Sequence, residues 1–150
     1  MELNYCYIFK TGIGLICLVG FLFNLNMGPI IQKDFVWQID FQDHFKNDTT
    51  SLEINGERIF SDSVLSSEPS SGLTKAIVNI YPDEKNKMRV NVFGNTTLIP
   101  YSDTLCLLVT INSLRRFYRA DLIKGKYVGL TKIKNNNLLL SQSLRPFQYD

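Results

Sequence analysis

Residues 51–60 read SLEINGERIF. Leu52 and Ile54 alternate with polar neighbours up to Asn55-Gly56, and a second short run follows. A two-residue type I′ turn needs positive φ at both central positions, and Asn followed by Gly tolerates it at both. The spacing therefore predicts a β-hairpin. The same period of two governs residues 35–42, FVWQIDFQ, where Phe35, Trp37, Ile39 and Phe41 alternate with Val36, Gln38, Asp40 and Gln42. Such alternation marks a half-buried strand.

Further along, residues 61–73 (SDSVLSSEPSSGL) read as a Ser-rich loop with Pro69 and Gly72. Thr74–Tyr81 is expected as a strand, 82–87 as a turn, and Met88–Phe93 as the returning strand. Gly94-Asn95 is read as a tight turn into Thr96–Ile99, which Pro100 terminates. Thr104–Asn112 is an apolar run of strand length, suited to a central strand buried on both sides or to a sandwich core. Arg116–Ile123, Tyr127–Ile133 and Leu138–Ser143 follow, with a turn at Asn135–Asn137.

About nine short strands at roughly 8–12-residue spacing predict an all-β domain, an antiparallel β-sandwich of jelly-roll or Ig-like type. A small β-barrel is the alternative. The expected core is Trp37, Phe41, Leu52, Ile54, Val78, Ile80, Val90, Val92, Leu107, Val109 and Ile111. At 150 residues the chain is long enough for about one domain. It divides into residues 1–33, a hydrophobic anchor or signal segment, and residues 34–150, the sandwich.

The leader is read as one hydrophobic helix. Residues 11–23, TGIGLICLVGFLF, match the ~7–15 residues of a signal-peptide core, and extension to Ile31 approaches the ~20 that span a bilayer. Asn24 and Asn26 would then lie toward one end. No good small-x-small cleavage site follows, so a single-pass anchor with the domain outside the cytoplasm is the first reading. Secretion after cleavage is the second. Lys10 and Lys33 flank the stretch and leave orientation weakly specified.

The net charge of +2 hides a split: residues 1–112 hold eight Lys/Arg against twelve Asp/Glu, and residues 113–150 hold eight against two. Arg116, Arg119, Lys124, Lys126, Lys132 and Lys134 are interleaved with Phe117, Tyr118 and Tyr127, which suggests an anion-binding platform. Lys and Arg facing solvent on strands also discourage edge-to-edge aggregation. An extracytoplasmic location disfavours nucleic acid and favours a lipid surface or a glycan.

Catalytic signatures are scarce. His44 is the single histidine, so two-histidine schemes and His-rich metal sites are excluded. Asp40, Asp43 and His44 form the one cluster with metal-ligating chemistry, convergent only if the strand ends near Gln42. Glu53 and Glu57 flank the hairpin turn, where exposed charges are ordinary. The sequence has no phosphate-cradling or dinucleotide glycine motif, no nucleophile elbow and no EF-hand loop. Cys106 lacks a CxxC partner and is expected as a small buried hydrophobe. Asn47 and Asn95 head Asn-x-Thr sequons, relevant only in a eukaryotic secretory pathway.

These readings favour a non-catalytic module at the cell envelope, requiring no cofactor, that binds a protein or glycan partner. The membrane would be engaged through residues 11–31. A metal-dependent carbohydrate module or enzyme using Asp40, Asp43 and His44, and the anion platform, are the alternatives.

Overall fold

The computed structural model describes residues 34–149. The leader, with Cys6 and Cys17, lies outside them. Among the described residues no helix is long and apolar enough to cross a membrane.

Ten strands account for most of the domain: β1 (Trp37–Phe41), β2 (Asp48–Ile54), β3 (Glu57–Leu65), β4 (Ile77–Pro82), β5 (Lys87–Val92), β6 (Asn95–Pro100), β7 (Thr104–Ile111), β8 (Leu114–Asp121), β9 (Tyr127–Lys132) and β10 (Leu138–Ser143). They form a six-stranded sheet in the order β10-β9-β1-β4-β5-β6 and a four-stranded sheet in the order β3-β2-β7-β8. The fold is all-β and sandwich-like. All eleven expected core residues are buried, joined by Ile39, Phe45, Met88, Ile99, Leu105, Val128 and Leu130 among others.

Local rules explain most of the chain reversals. Asn55 and Gly56 take φ of 52° and 85°, as a type I′ turn demands. The β7–β8 turn uses Asn112 and Ser113 at positive φ, and the β9–β10 connection uses Asn135 and Asn136. Asn tolerates the left-handed region because its short amide can bond locally.

Four expectations need correction. The sheets are not purely antiparallel: β1 pairs parallel with β9, Gln38 opposite Tyr127 and Phe41 opposite Leu130. Next, β3 continues through 61–65, which composition marked as loop. Register shifts against β2 on either side of Leu52 place two bulges in this hairpin, and Asp62 lies at φ 52°. Bulges accommodate a polar, irregular sequence without ending the strand. The β5–β6 turn is Phe93-Gly94, one residue earlier than expected, with Asn95 already paired to Val92. Finally, Cys106 is exposed. Leu105, Leu107, Val109 and Ile111 point into the core, so the alternate residues of β7 face outward; Leu108 is buried there and Cys106 is not.

Candidate functional site

The two lateral edges of the sandwich are built differently. On one side β8 and β10, the end strands of their sheets, are fastened to each other by side chains. Leu138 N–H donates to Tyr118 Oη at 3.1 Å, and Arg116 Nε donates to Asn137 Oδ1 at 2.9 Å. Gln142 acts as an amide bridge: its Oε1 accepts from Asp121 N–H, and its Nε2 donates to the carbonyls of Asp121 and Gly125 at 3.0 Å each.

On the opposite side, the β3 edge and the β5–β6 turn meet through Phe60 and Phe93, ring centroids 5.3 Å apart. Beside that contact opens a groove of about 810 Å³. Ile59, Phe60 and Leu65 are its buried apolar lining, Val64 and Phe93 its exposed apolar wall, and Ser61, Ser63, Ser66 and Ser67 supply hydroxyls. Among the described residues, the only charged ones lining it are Glu68 and Lys75, of opposite sign. A concave, largely neutral surface with a few hydroxyls recognises by shape and apolar contact.

Phe93 is the unusual element of this wall. It holds φ of 50° in a two-residue turn and is 42% exposed. Positive φ in a bulky aromatic is an outlier, since Asn or Gly would occupy the position without strain.

Comparison with family models, curated proteins and solved structures gives no match. The chemistry of this surface therefore rests on its own residues.

The acidic cluster expected from sequence disperses. Strand β1 does end at Phe41, yet among the described residues no group of three His, Cys, Asp or Glu is placed to hold a metal. Asp40 is buried on the outer face of the six-stranded sheet. It accepts from Gln38 Nε2 at 2.9 Å and from Tyr149 Oη at 2.8 Å. Asp43 is exposed, its carboxylate against Gly72, where a Cβ would collide with it. His44 is also exposed, with φ of 70°.

What sequence reasoning missed here is the roof. The C-terminal tail returns over the sheet so that Tyr149 Oη bridges Asp40 and Gln42 Nε2, and Thr131 Oγ1 bonds Gln42 Oε1. Burial first, then the hydrogen bond to Asp40, pushes the Tyr149 phenol well above its ordinary value. No sequence signal joins positions 40 and 149.

The basic set also separates. Lys132 is a half-buried structural cation: its Nζ meets both oxygens of the buried Asp48 at 2.6 Å, with side-chain exposures of 15% and 5%. Burial alone would raise the Asp48 carboxyl. Hydrogen bonds from Lys132, the Lys46 N–H and Asn112 overcome it and hold the group below its ordinary value. Arg116 serves the β8–β10 fastening, and Arg119 pairs with Asp121 at 3.1 Å. Lys124 lies 3.9 Å from the same carboxylate, Lys126 sits over the Phe35 ring at 4.6 Å, and Lys134 is exposed beside the β9–β10 turn. Arg119 and Lys124 thus share the Asp121 carboxylate, while Arg116 and Lys132 are engaged by other partners. Asn47 and Asn95, the sequon residues, are exposed, and both line the groove.

Proposed function

We propose that this chain is a non-catalytic binding module of the cell envelope, anchored or exported by residues 11–31, whose working surface is the groove beside β3. The observation that carries the reading is Phe93: an aromatic ring kept at positive φ on the rim of an open groove, where a turn residue without strain was available. The ligand is a protein segment that places an apolar side chain between Val64 and Phe93 and meets the serine hydroxyls with its backbone. The two bulges of β3 interrupt its free edge, so recognition through a side chain fits this site better than extended strand addition. With Glu68 and Lys75 offsetting each other, affinity depends little on salt.

A photoreactive amino acid at position 64 of the membrane-associated full chain tests this. The expected result is a discrete protein adduct at 64, and none from the same group at Leu139, an exposed apolar residue of β10. Equal labelling at both positions would contradict the assignment. So would turnover of a substrate by the purified protein that one polar substitution abolishes.

A further inference from the structure

The outer face of the four-stranded sheet carries a hollow whose position follows from strand register. With alternate residues of β7 and β8 turned to the core, Leu108 and Thr110 face outward beside Arg115 and Phe117. Across the strands, Arg58, Glu53, Leu108 and Phe117 stand in one row, and Ser51, Thr110 and Arg115 in the next. Rows on one face lie about 6.5–7 Å apart along the strands. Long side chains fill the first row, and Leu108 is buried between Glu53 and Phe117. The second row has only short hydroxyl side chains at Ser51 and Thr110. That step in size leaves a hollow of about 240 Å³, bounded by the bulged part of β3, where Asp62 N–H donates to Ser51 Oγ at 3.0 Å.

The polar groups around this hollow are not spent on one another. Among the described residues, neither the Arg115 guanidinium nor the Asp62 carboxylate has a side-chain partner, and Thr110 Oγ1 makes no hydrogen bond. Glu53 and Arg58 approach only to 3.7 Å. Two guanidiniums and two carboxylates line the hollow, so its fixed charge cancels. Phe117, in the row beside Arg115, is 79% exposed on an end strand, where a bare apolar ring invites unwanted association.

We propose that the hollow and the Phe117 ring form a binding site for a neutral saccharide, adjoining the groove at Ser61 and taking a different ligand. A sugar ring matches each element. Asp62 and Glu53 only accept hydrogen bonds, Arg115 only donates, and Ser51 and Thr110 do both, a set that pairs with adjacent hydroxyls. The C–H face of the ring packs on Phe117, whose π face presents negative charge to it. An anion would meet two carboxylates and a cation two guanidiniums, so the balanced charge selects against both. The hollow is smaller than the ~300–1,000 Å³ of drug-sized pockets. It seats one ring, and the next unit of the chain lies across Phe117.

The test uses the full chain in a detergent without a sugar headgroup, titrated with neutral trisaccharides of glucose, mannose and N-acetylglucosamine while amide shifts are followed. At least one sugar should give saturable shifts centred on Ser51, Thr110 and Phe117, with an affinity that added salt leaves unchanged. Phe117→Ala should weaken binding about tenfold without moving the unfolding midpoint, and Thr110→Val should weaken it severalfold. Leu139→Ser, on the other sheet, should leave it intact. No shift with any of the three sugars, or binding that Phe117→Ala does not touch, overturns the site. Tighter binding of glucuronate or of lysine than of the neutral sugars overturns its ligand class.

Discussion

The β8–β10 edge and the β3–Phe93 edge face the same physical problem with different outcomes. Each sandwich edge leaves strand backbone groups without ladder partners, and an exposed edge invites unwanted pairing. At β8–β10, Tyr118 and Gln142 supply side-chain partners to backbone groups, and Arg116 adds a side-chain bond to Asn137, which together tie one sheet to the other. At β3, bulges disrupt the edge, Phe60 crosses to the other sheet through its ring contacts with Phe41 and Phe93, and a groove remains open. One edge is closed by side-chain bonds and the other is left open. Substitutions along the two edges should therefore separate stability from binding.

The largest effect is expected beyond either edge strand, where Lys132 of β9 reaches Asp48 of β2 and joins the two sheets. Lys132→Ala leaves a buried carboxylate without its cation and should cost about 3 kcal/mol in denaturant unfolding. Replacing the pair together, Asp48→Leu with Lys132→Met, should recover most of that loss. The same carboxylate sets an acid limit. Its folded pKa lies below the ordinary 3.8, so its stabilisation is complete above that value and fades as pH falls through the folded one. Lys132→Ala should flatten that part of the stability–pH curve.

At the fastened edge, Gln142→Ala strands an N–H and two carbonyls in a partly buried place. A loss of about 1–2 kcal/mol is expected, together with faster amide exchange at Asp121 and along β10. Unchanged exchange there would mean that the edge is held by packing alone. At the open edge, Val64→Asn should change stability by less than about 0.5 kcal/mol, as surface substitutions do, yet weaken capture of the partner. A large loss of stability would show the groove to be a packing defect and not a surface kept open.

The smallest effect concerns the tail over Asp40. Because burial and the Asp40 hydrogen bond raise the Tyr149 phenol, the tail contact is fully present below the ordinary 10.0 and is lost as pH climbs through the folded value. Tyrosinate absorbance should show a late-titrating group that Tyr149→Phe removes, at a cost to stability of about 1 kcal/mol or less. A normal titration at Tyr149 would mean that the tail does not roof the sheet in solution.

The difference between the edges also marks where sequence reading stopped. Strands with one buried face announce themselves: Trp37, Ile39 and Phe41, or Leu52 and Ile54 before Asn55-Gly56, carry the period of two and their own turn chemistry. The second half of β3 does not. Ser61-Asp62-Ser63 has loop composition, and its bulges break the period that would have revealed a strand. Parallel pairing of β1 with β9 depends on a crossover of more than eighty residues, about which neither strand carries a signal. Outward-facing Cys106 was obscured because β7 is apolar on both faces near its centre.

The groove was harder still to read. Its lining comes from positions 47, 59–61, 63–69, 75, 93 and 95, residues ordinary in isolation that only the packing of two sheets assembles. Phe93-Gly94 did offer one clue, a turn pair whose first residue is wrong for the turn. Lys132 misled in the opposite sense, since a lysine counted as surface charge is neutralised inside the domain.

Phe93→Asn tests the central claim most directly, by measuring unfolding free energy and partner cross-linking from position 64 on the same protein. Relief of positive φ gains on the order of 1 kcal/mol, and loss of the Phe60 contact removes about 0.5–1.5 kcal/mol. The predicted result is stability within about 1 kcal/mol of the parent, with the adduct lost. An adduct that persists undiminished, or a protein destabilised well beyond that margin, would show that Phe93 is there to pack the fold and that the open edge is not a binding surface.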